Sequence, residues 1–329
     1  MFHLYFKGFT TVLALLLMIA SKTSAQNKEQ VPYRPKLVEF SFQSLNDHRL
    51  APSQSSGAFS GDASNEKKST QVTFKAIAPI LLRDSLKIGV QLKFDQQQFL
   101  FNGHNRSGQP GIGNYLGEQD FRSLSARLLV QKKLNNGANL NIVSGVEFND
   151  NNFSFHSNTR RLFVTGIYQQ KISKRRTVGG GLLVSHNDLG LRVFPIITLE
   201  EVLSPKWTLN LTLPKEVATR YRVNASSYLI AKAALDGWRY NLSERFTDYE
   251  ANSLNISRLD LRYSLAYERG LNDWLWVGIE AGWNQNLRYF LAESGQNYRN
   301  AMTRFDQASA PFVQLSLFLV PPSKFYKNR

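Results

Sequence analysis

Two Ser–His neighbours are the first candidates for chemistry: His156-Ser157 in FSFHSNT (153–159) and Ser185-His186 in LVSHNDLG (183–190). A serine becomes a nucleophile when a base lies within hydrogen-bond reach of its hydroxyl. On a β-strand that requires residues two apart, because successive side chains leave opposite faces. Both pairs are adjacent, so on a strand each histidine would point away from its serine, and only a loop conformation would bring either pair together. His186 and Asp188 share a face, but no serine joins them at the right spacing. A hydrolase is therefore the least favoured reading, and no catalytic residue is assigned.

Metal and cofactor chemistry has no better footing. The chain contains no cysteine, which removes thiol catalysis, zinc–thiolate sites and c-type haem attachment. Its five histidines are scattered, with no HxH or HExxH spacing. Gly179-Gly180-Gly181 sits between RRTV and LLVS. It lies inside a strand pattern and not ahead of a helix, so it is expected to ease packing or bending of a sheet. GQPGIGNYLG (108–117) reads as a loop. No metal and no cofactor is expected.

What remains is charge, and its spacing points to the elements that hold it. SLKIGVQLKFD (85–95) sets Leu86, Ile88, Val90, Leu92 and Phe94 against Lys87, Gln91, Lys93 and Asp95. RLDLRYSLAYE (258–268) opposes Leu259, Leu261, Tyr263, Leu265 and Tyr267 to Arg258, Asp260, Arg262 and Glu268. RSLSARLLVQK (122–132), WTLNLTL (207–213) and VQLSLFL (313–319) alternate likewise. A period of two over such lengths is a strand signal. Charges of both signs occupy the polar face at mid-strand: Lys75, Lys87, Lys93, Asp95, Arg127, Glu147, Arg258, Asp260, Arg262, Glu268 and Glu280. On a lipid-facing surface near the bilayer centre each Lys or Arg would cost about 2–4 kcal/mol. These residues are the expected lining of a wet lumen, and the apolar edge is expected to face lipid. Two uses of the charges stay open. The basic members would favour anionic solutes. Alternatively, Arg258, Asp260 and Arg262, at i, i+2 and i+4, belong to an ion-pair ladder that closes the bore.

The N-terminus bears on the compartment. Lys7, the apolar run TTVLALLLMIA (10–20) and SKTSAQ, with Thr23 and Ala25 at −3 and −1, form a secretory signal peptide over 1–25, cleaved after Ala25. The run is shorter than the ~20 apolar residues of a spanning helix. Residues 26–329 follow as a single domain. The formal charge is +15, or +13 once Lys7 and Lys22 are subtracted. For an exported chain the expected counterpart is outer-membrane lipid or lipopolysaccharide phosphate, not nucleic acid. An exported domain without disulfides fits strands closed by backbone hydrogen bonds, which need no staples.

Fourteen strands are expected, at 33–43, 70–82, 85–100, 120–132, 138–150, 159–170, 176–186, 190–202, 206–213, 216–222, 226–242, 256–269, 273–286 and 311–321. Twelve is the alternative, because 216–222 is short and 226–242 changes phase near Gly237, which suggests a bulge there. An even number leaves both termini periplasmic. Turns rich in Asn, Asp, Gly and Pro fall at 83–85, 134–137, 172–176, 204–206, 223–225 and 270–273. They alternate, with little exception, with longer connections such as 44–68, 102–119, 243–255 and 289–310. Trp207, Trp274 and Trp276 follow turns; Tyr168, Trp238, Tyr267 and Trp283 lie near strand ends. All seven are expected in interfacial aromatic girdles.

In VFPIITLEEVLSPKWTLNLTLPKEVATRYRV (193–223), Pro195 marks one strand, Ser204-Pro205-Lys206 a tight turn, and Trp207-Thr208-Leu209-Asn210-Leu211 the next strand. With these features the chain resembles the uncharacterised outer-membrane β-barrel families of Gram-negative bacteria over essentially its whole mature length. The resemblance implies an all-β, transmembrane, antiparallel up-and-down barrel in the bacterial outer membrane, and it carries no functional residue across. One departure is visible. Such barrels end on an aromatic residue that the barrel-assembly machinery reads, whereas SKFYKNR (323–329) follows the last strand here. Phe318 or Phe325-Tyr326 must then serve. The expected function is a channel or transport-type barrel with a charged lumen and polar external loops. The alternatives are a structural or adhesive barrel with a plugged lumen and, least favoured, a lipid-modifying barrel enzyme.

Overall fold

The computed structural model describes residues 33–55, 64–102, 119–151, 159–242 and 254–323. The expected signal peptide, His156-Ser157, most of the 102–119 and 243–255 connections and Phe325-Tyr326 lie outside them.

The alternating segments form β1 (Val38–Ser55), β2 (Ser64–Leu82), β3 (Leu86–Asn102), β4 (Asp120–Lys133), β5 (Asn139–Asp150), β6 (Arg160–Lys171) and β7 (Arg176–Asn187). They continue as β8 (Gly190–Val202), β9 (Trp207–Leu213), β10 (Glu216–Asn224), β11 (Ser227–Leu242), β12 (Leu254–Gly270) and β13 (Leu275–Glu293). A single-turn 3-10 helix (Tyr298–Asn300), β14 (Thr303–Gln307) and β15 (Ala310–Leu319) complete the chain. Each strand from β1 to β13 pairs antiparallel with the next, and β15 pairs with both β13 and β1. The result is a closed 14-stranded up-and-down barrel, with β14 as an additional short strand outside that count. The twelve-strand alternative falls, because β9 and β10 pair with each other and with β8 and β11.

Register keeps like with like around the wall. Phe40, Phe74, Phe94 and Leu124 follow one another across β1 to β4, and Thr73, Asp95 and Ser123 form the next row. A one-residue slip would exchange these rows between faces. Solvent exposure then identifies the faces. Leu92, Val164, Leu182, Leu265, Ile279 and Leu315 are about half exposed or more, whereas Asp95, Ser125, Ser185, Arg258, Asp260 and Glu268 are buried. A water-soluble protein buries its apolar side chains and spends its charges on the surface. This barrel does the reverse, as a chain must when its outer face meets hydrocarbon. It is a transmembrane barrel.

All six expected tight turns lie between paired strands at one end, shared with both described chain ends, where Leu37 N–H donates to Leu319 O at 2.8 Å. The exceptions to alternation are at the other end: β7–β8 and β9–β10 are joined there by two-residue turns, Asp188-Leu189 and Pro214-Lys215.

Several expectations need correction. Residues 33–37 are not strand; they cross the interior at the short-turn end, with Arg34 bound to Asp273 and Pro321 O and Lys36 to Glu39 and Glu268. The 289–310 connection is not all loop, since β13 runs to Glu293 and β14 pairs with β1 and β13. Gly237 is no bulge. β11–β12 register is unbroken from Ser227 to Leu242, and the irregularity sits at Leu259/Asp260 against β13. Two girdle residues point inward instead. Trp276 is buried with Tyr228 and Phe318, and Trp238 packs against an interior aromatic cluster. Their positions in the alternation put them on the same face as Gly278, Glu280 and Asp236. Tyr168, Tyr267 and Trp283 do face outward, and Trp274 is exposed in the β12–β13 turn.

The wall is not of even height. β10 leaves β11 at the Glu216–Ala234 pair, and β9 leaves β8 at Leu213–Ile197. The apolar outer face of β8 continues to Leu191, ~20 Å further along the strand at 3.3 Å per residue. Above that step the taller strands close on each other through the parallel contact Asn241–Asp150 between β11 and β5. A smaller ring of β11, β12, β13, β14 and β1 to β5 results, and β6 to β10 drop out of it. Its interior is dry: Phe99, Phe121, Tyr240, Ile256, Tyr289 and Leu291 form one buried cluster. The expectation of a wet lumen therefore fails at the loop end.

Candidate functional site

Among the described residues, ten of the eleven sequence-derived charges are neutralised in ion pairs. Lys75 binds Glu39. Lys93 lies 2.6 Å from Asp95, which also accepts from Thr73 Oγ1 at 2.6 Å. Arg127 pairs with Glu147 at 3.7 Å, Arg258 with Asp260 at 2.7 Å, and Arg262 with Asp236 at 2.9 Å. Glu280 holds Lys232 at 3.0 Å, and Glu268 holds Lys36 at 2.9 Å. Lys87 is the exception. It borders a shallow hollow with Gln131 and Asn141 near the short-turn end. For most of these residues pairing is the physical outcome. An inner wall of this kind is electrostatically quiet.

The unquenched positive charge lies elsewhere, on the low side of the wall. Where β6 to β10 leave the upper ring, a cavity of about 380 Å³ opens between their crest and β11. Arg160, Arg161, Arg192, Arg239, Arg258 and Arg288 line it, against Glu147 and Asp188. Both faces of β11 contribute, through Trp238 and Arg239, because the strand edge is bare there among the described residues. Pro195 lies on the β8 stretch that has β7 on one side only, a position where a missing N–H is tolerated. Among the described residues no carboxylate is within ion-pair distance of Arg160, Arg161 or Arg192. Arg192 Nη2 donates instead to Asn187 Oδ1 at 2.9 Å.

The crest is tied down at one point. Arg239 donates to both oxygens of Asp188, at 3.1 and 3.2 Å from Nε, and Asp188 also accepts from Asn255 Nδ2 and Gly295 N, each at 3.1 Å. The Asp188 side chain is 5% exposed.

A second cavity, of about 340 Å³, lies at the short-turn end of the same wall. Lys206, Arg220, Arg222, Asn210, Glu200 and Tyr33 are among its lining. Tyr33 comes from the crossing N-terminal segment and donates to Glu268 at 2.7 Å. Burial and the Glu268 carboxylate both push its hydroxyl well above the usual tyrosine range. β8 runs between the two cavities, with Arg192 and Phe194 in the upper one and Glu200 and Val202 in the lower.

None of Arg160, Arg161, Arg192, Arg220 or Arg222 stood out in the sequence as a site residue. Their signal was present: TRYRV (219–223) carries Arg220 and Arg222 at the same i, i+2 spacing as the chosen residues. What alternation does not tell is which inward charges find partners. The Ser185-His186 geometry is as the spacing requires, with Ser185 buried and His186 exposed on the opposite face.

No protein-family model and no curated protein matches the sequence. Among solved structures the chain is similar to an outer-membrane channel of Pseudomonas putida F1, at 8% identity and a TM-score of 0.39, over 90% of this chain and 100% of that one. It is similar to a Pseudomonas aeruginosa FadL homologue at 10% identity and a TM-score of 0.34, over 87% and 90%. It is also similar to the Pseudomonas putida toluene transporter TodX at 9% identity and a TM-score of 0.33, over 86% and 89%.

Proposed function

We propose that the protein is an outer-membrane barrel of the transport type, admitting small anionic solutes along its low wall and not through the axis. One contrast carries the reading. Arginines without carboxylate partners gather in the two cavities along β8, while most other charges singled out on the strands, Lys87 excepted, cancel pairwise among the described residues. Clefts walled by low-dielectric material and lined by one sign of charge concentrate the opposite ion. The dry cluster at the loop end disfavours an axial route and directs solutes to the upper cavity under the crest. The apolar outer face, the closed wall and the even strand number agree with residence in a bacterial outer membrane, with lipid and lipopolysaccharide around it and insertion by the assembly machinery.

The test is reversal-potential measurement on the refolded barrel in planar bilayers under a KCl gradient. A chloride-directed potential is expected. Discrete cation-selective conductance would overturn the reading.

The second reading is a plugged barrel whose external loops do the work. The buried aromatic cluster at the loop end favours it. A silent bilayer together with a folded, heat-modifiable protein is its expected signature.

A further inference from the structure

We infer that the cavity at the short-turn end is a binding site for a small dianion with several oxygen acceptors, such as inorganic phosphate, a phosphate monoester or a dicarboxylate. The inference deepens the anion-admitting reading and rests on it for its physiological sense, though not for its test.

Three basic side chains, Lys206, Arg220 and Arg222, line this cavity against one carboxylate, Glu200, which leaves two formal positive charges in excess. The acidic neighbours are committed elsewhere. Glu268 is engaged by Tyr33 and Lys36, and Glu201, next to Glu200 but on the opposite face of β8, pairs with Arg176. Among the described residues neither Arg220 nor Arg222 has a carboxylate within ion-pair distance.

The orientation of Arg220 matters more than the count. Its guanidinium carbon lies 3.7 Å from the centroid of the Tyr33 ring. A guanidinium that stacks by its face keeps its N–H donors in its own plane, where an oxyanion can meet them two at a time. Arg220 Nε and Asn210 Nδ2 are shielded from solvent and have no acceptor among the described residues. Buried donors left without partners normally cost stability. Here two of them border one cationic cavity. A monoanion would quench half of the local charge, and a neutral solute none of it. The cavity is at the small end of the range for ligand pockets, which suits an ion or a short diacid.

The N-terminal segment makes the floor. Tyr33 is fixed by Glu268, Arg34 by Asp273 and Pro321 O, and Lys36 by two glutamates. The ring under Arg220 is therefore held in place before any ligand arrives, so binding need not order it.

The experiment is isothermal titration of the full-length barrel refolded in a neutral detergent, with inorganic phosphate, succinate, acetate and glucose as separate probes. Phosphate or succinate is expected to bind at least tenfold more tightly than acetate, and glucose not at all. Phosphate without succinate assigns the phosphoryl class, and succinate without phosphate the dicarboxylate class. Arg220→Gln/Arg222→Gln is expected to weaken the dianion at least tenfold, while Lys93→Gln/Asp95→Asn, a neutral pair outside the lining of either cavity, leaves it unchanged. Should the first double variant not refold, Lys206→Gln at the exposed turn replaces it, with a several-fold weakening expected. Dianion affinity equal to acetate affinity, or unaffected by the lower-cavity variants, overturns the site. Bilayer selectivity is read separately: a silent barrel that still binds phosphate at Arg220 sinks the transport reading and spares the site.

Discussion

Arg239, on β11, holds Asp188, in the β7–β8 turn, through both carboxylate oxygens, and both residues line the upper cavity. Their side chains are 13% and 5% exposed. Breaking a buried pair leaves one charge without compensation and typically costs 3–5 kcal/mol. Asp188→Ala is therefore expected to lower unfolding free energy by about 3 kcal/mol, read by tryptophan fluorescence in urea with lipid vesicles. The Arg176–Glu201 pair, with Arg176 51% exposed, supplies the contrast. Arg176→Ala is expected to cost less than about 1 kcal/mol. Equal losses from the two variants would show that Asp188 is not enclosed.

Ion selectivity separates the paired charges from the unpaired ones. Lys93→Gln/Asp95→Asn removes a neutral pair and is expected to leave the reversal potential unchanged. Arg161→Gln/Arg192→Gln removes two cations from the upper cavity and is expected to move the potential toward zero. A larger shift from the first variant than from the second would return the conduction path to the axis.

Close approach of strands makes Gly181 irreplaceable. A Cβ there would lie 2.0 Å from Gly166 O and 2.8 Å from Ile167 Cα, both backbone atoms of β6 that cannot move aside. Gly180, one residue earlier and on the other face, has its nearest such contact at 4.0 Å. Gly181→Ala is expected to abolish the heat-modifiable band in gel electrophoresis, and Gly180→Ala to retain it. Retention in both would mean that β6 and β7 sit further apart than described.

How far the sequence reaches can be judged from particular residues. Alternation located every strand of the barrel because one face meets an apolar medium throughout, and the hydrophobic rows at Phe40, Phe74 and Phe94 repeat that constraint strand by strand. It did not reveal the step at β9 and β10. The short run WTLNLTL was legible, but that β8 and β11 continue past it as bare edges depends on lengths compared across neighbours. The girdle expectation fails for Trp276 and Trp238 because proximity to a turn says nothing about which face a ring takes. Their phase within the alternation did contain that information. The site arginines escaped for a different reason. Arg258 and Arg220 occupy equivalent inward positions in sequence terms, and only the pairing of one with Asp260 and the stacking of the other on Tyr33, far away along the chain, distinguishes them.

The partition between lipid and water can be tested at two leucines that exposure alone does not tell apart. Leu265, within β12 five residues before its end, and Leu271, in the β12–β13 turn, are each 58% exposed. If both faced water, replacement by arginine would change stability by no more than about 0.5 kcal/mol at either site. In a bilayer the two differ by depth. Leu265 pairs across the sheet with Ala231 and Ala281 on the apolar outer face, whereas Leu271 lies beyond the strand ends. Arginine in the hydrocarbon centre costs about 2–4 kcal/mol, and near the interface about 0–1 kcal/mol. Leu265→Arg is therefore expected to destabilise the barrel in phospholipid vesicles by at least about 2 kcal/mol more than Leu271→Arg. Equal and small effects of the two substitutions would mean that the outer apolar face is not in contact with acyl chains, and the transmembrane assignment would fall with it.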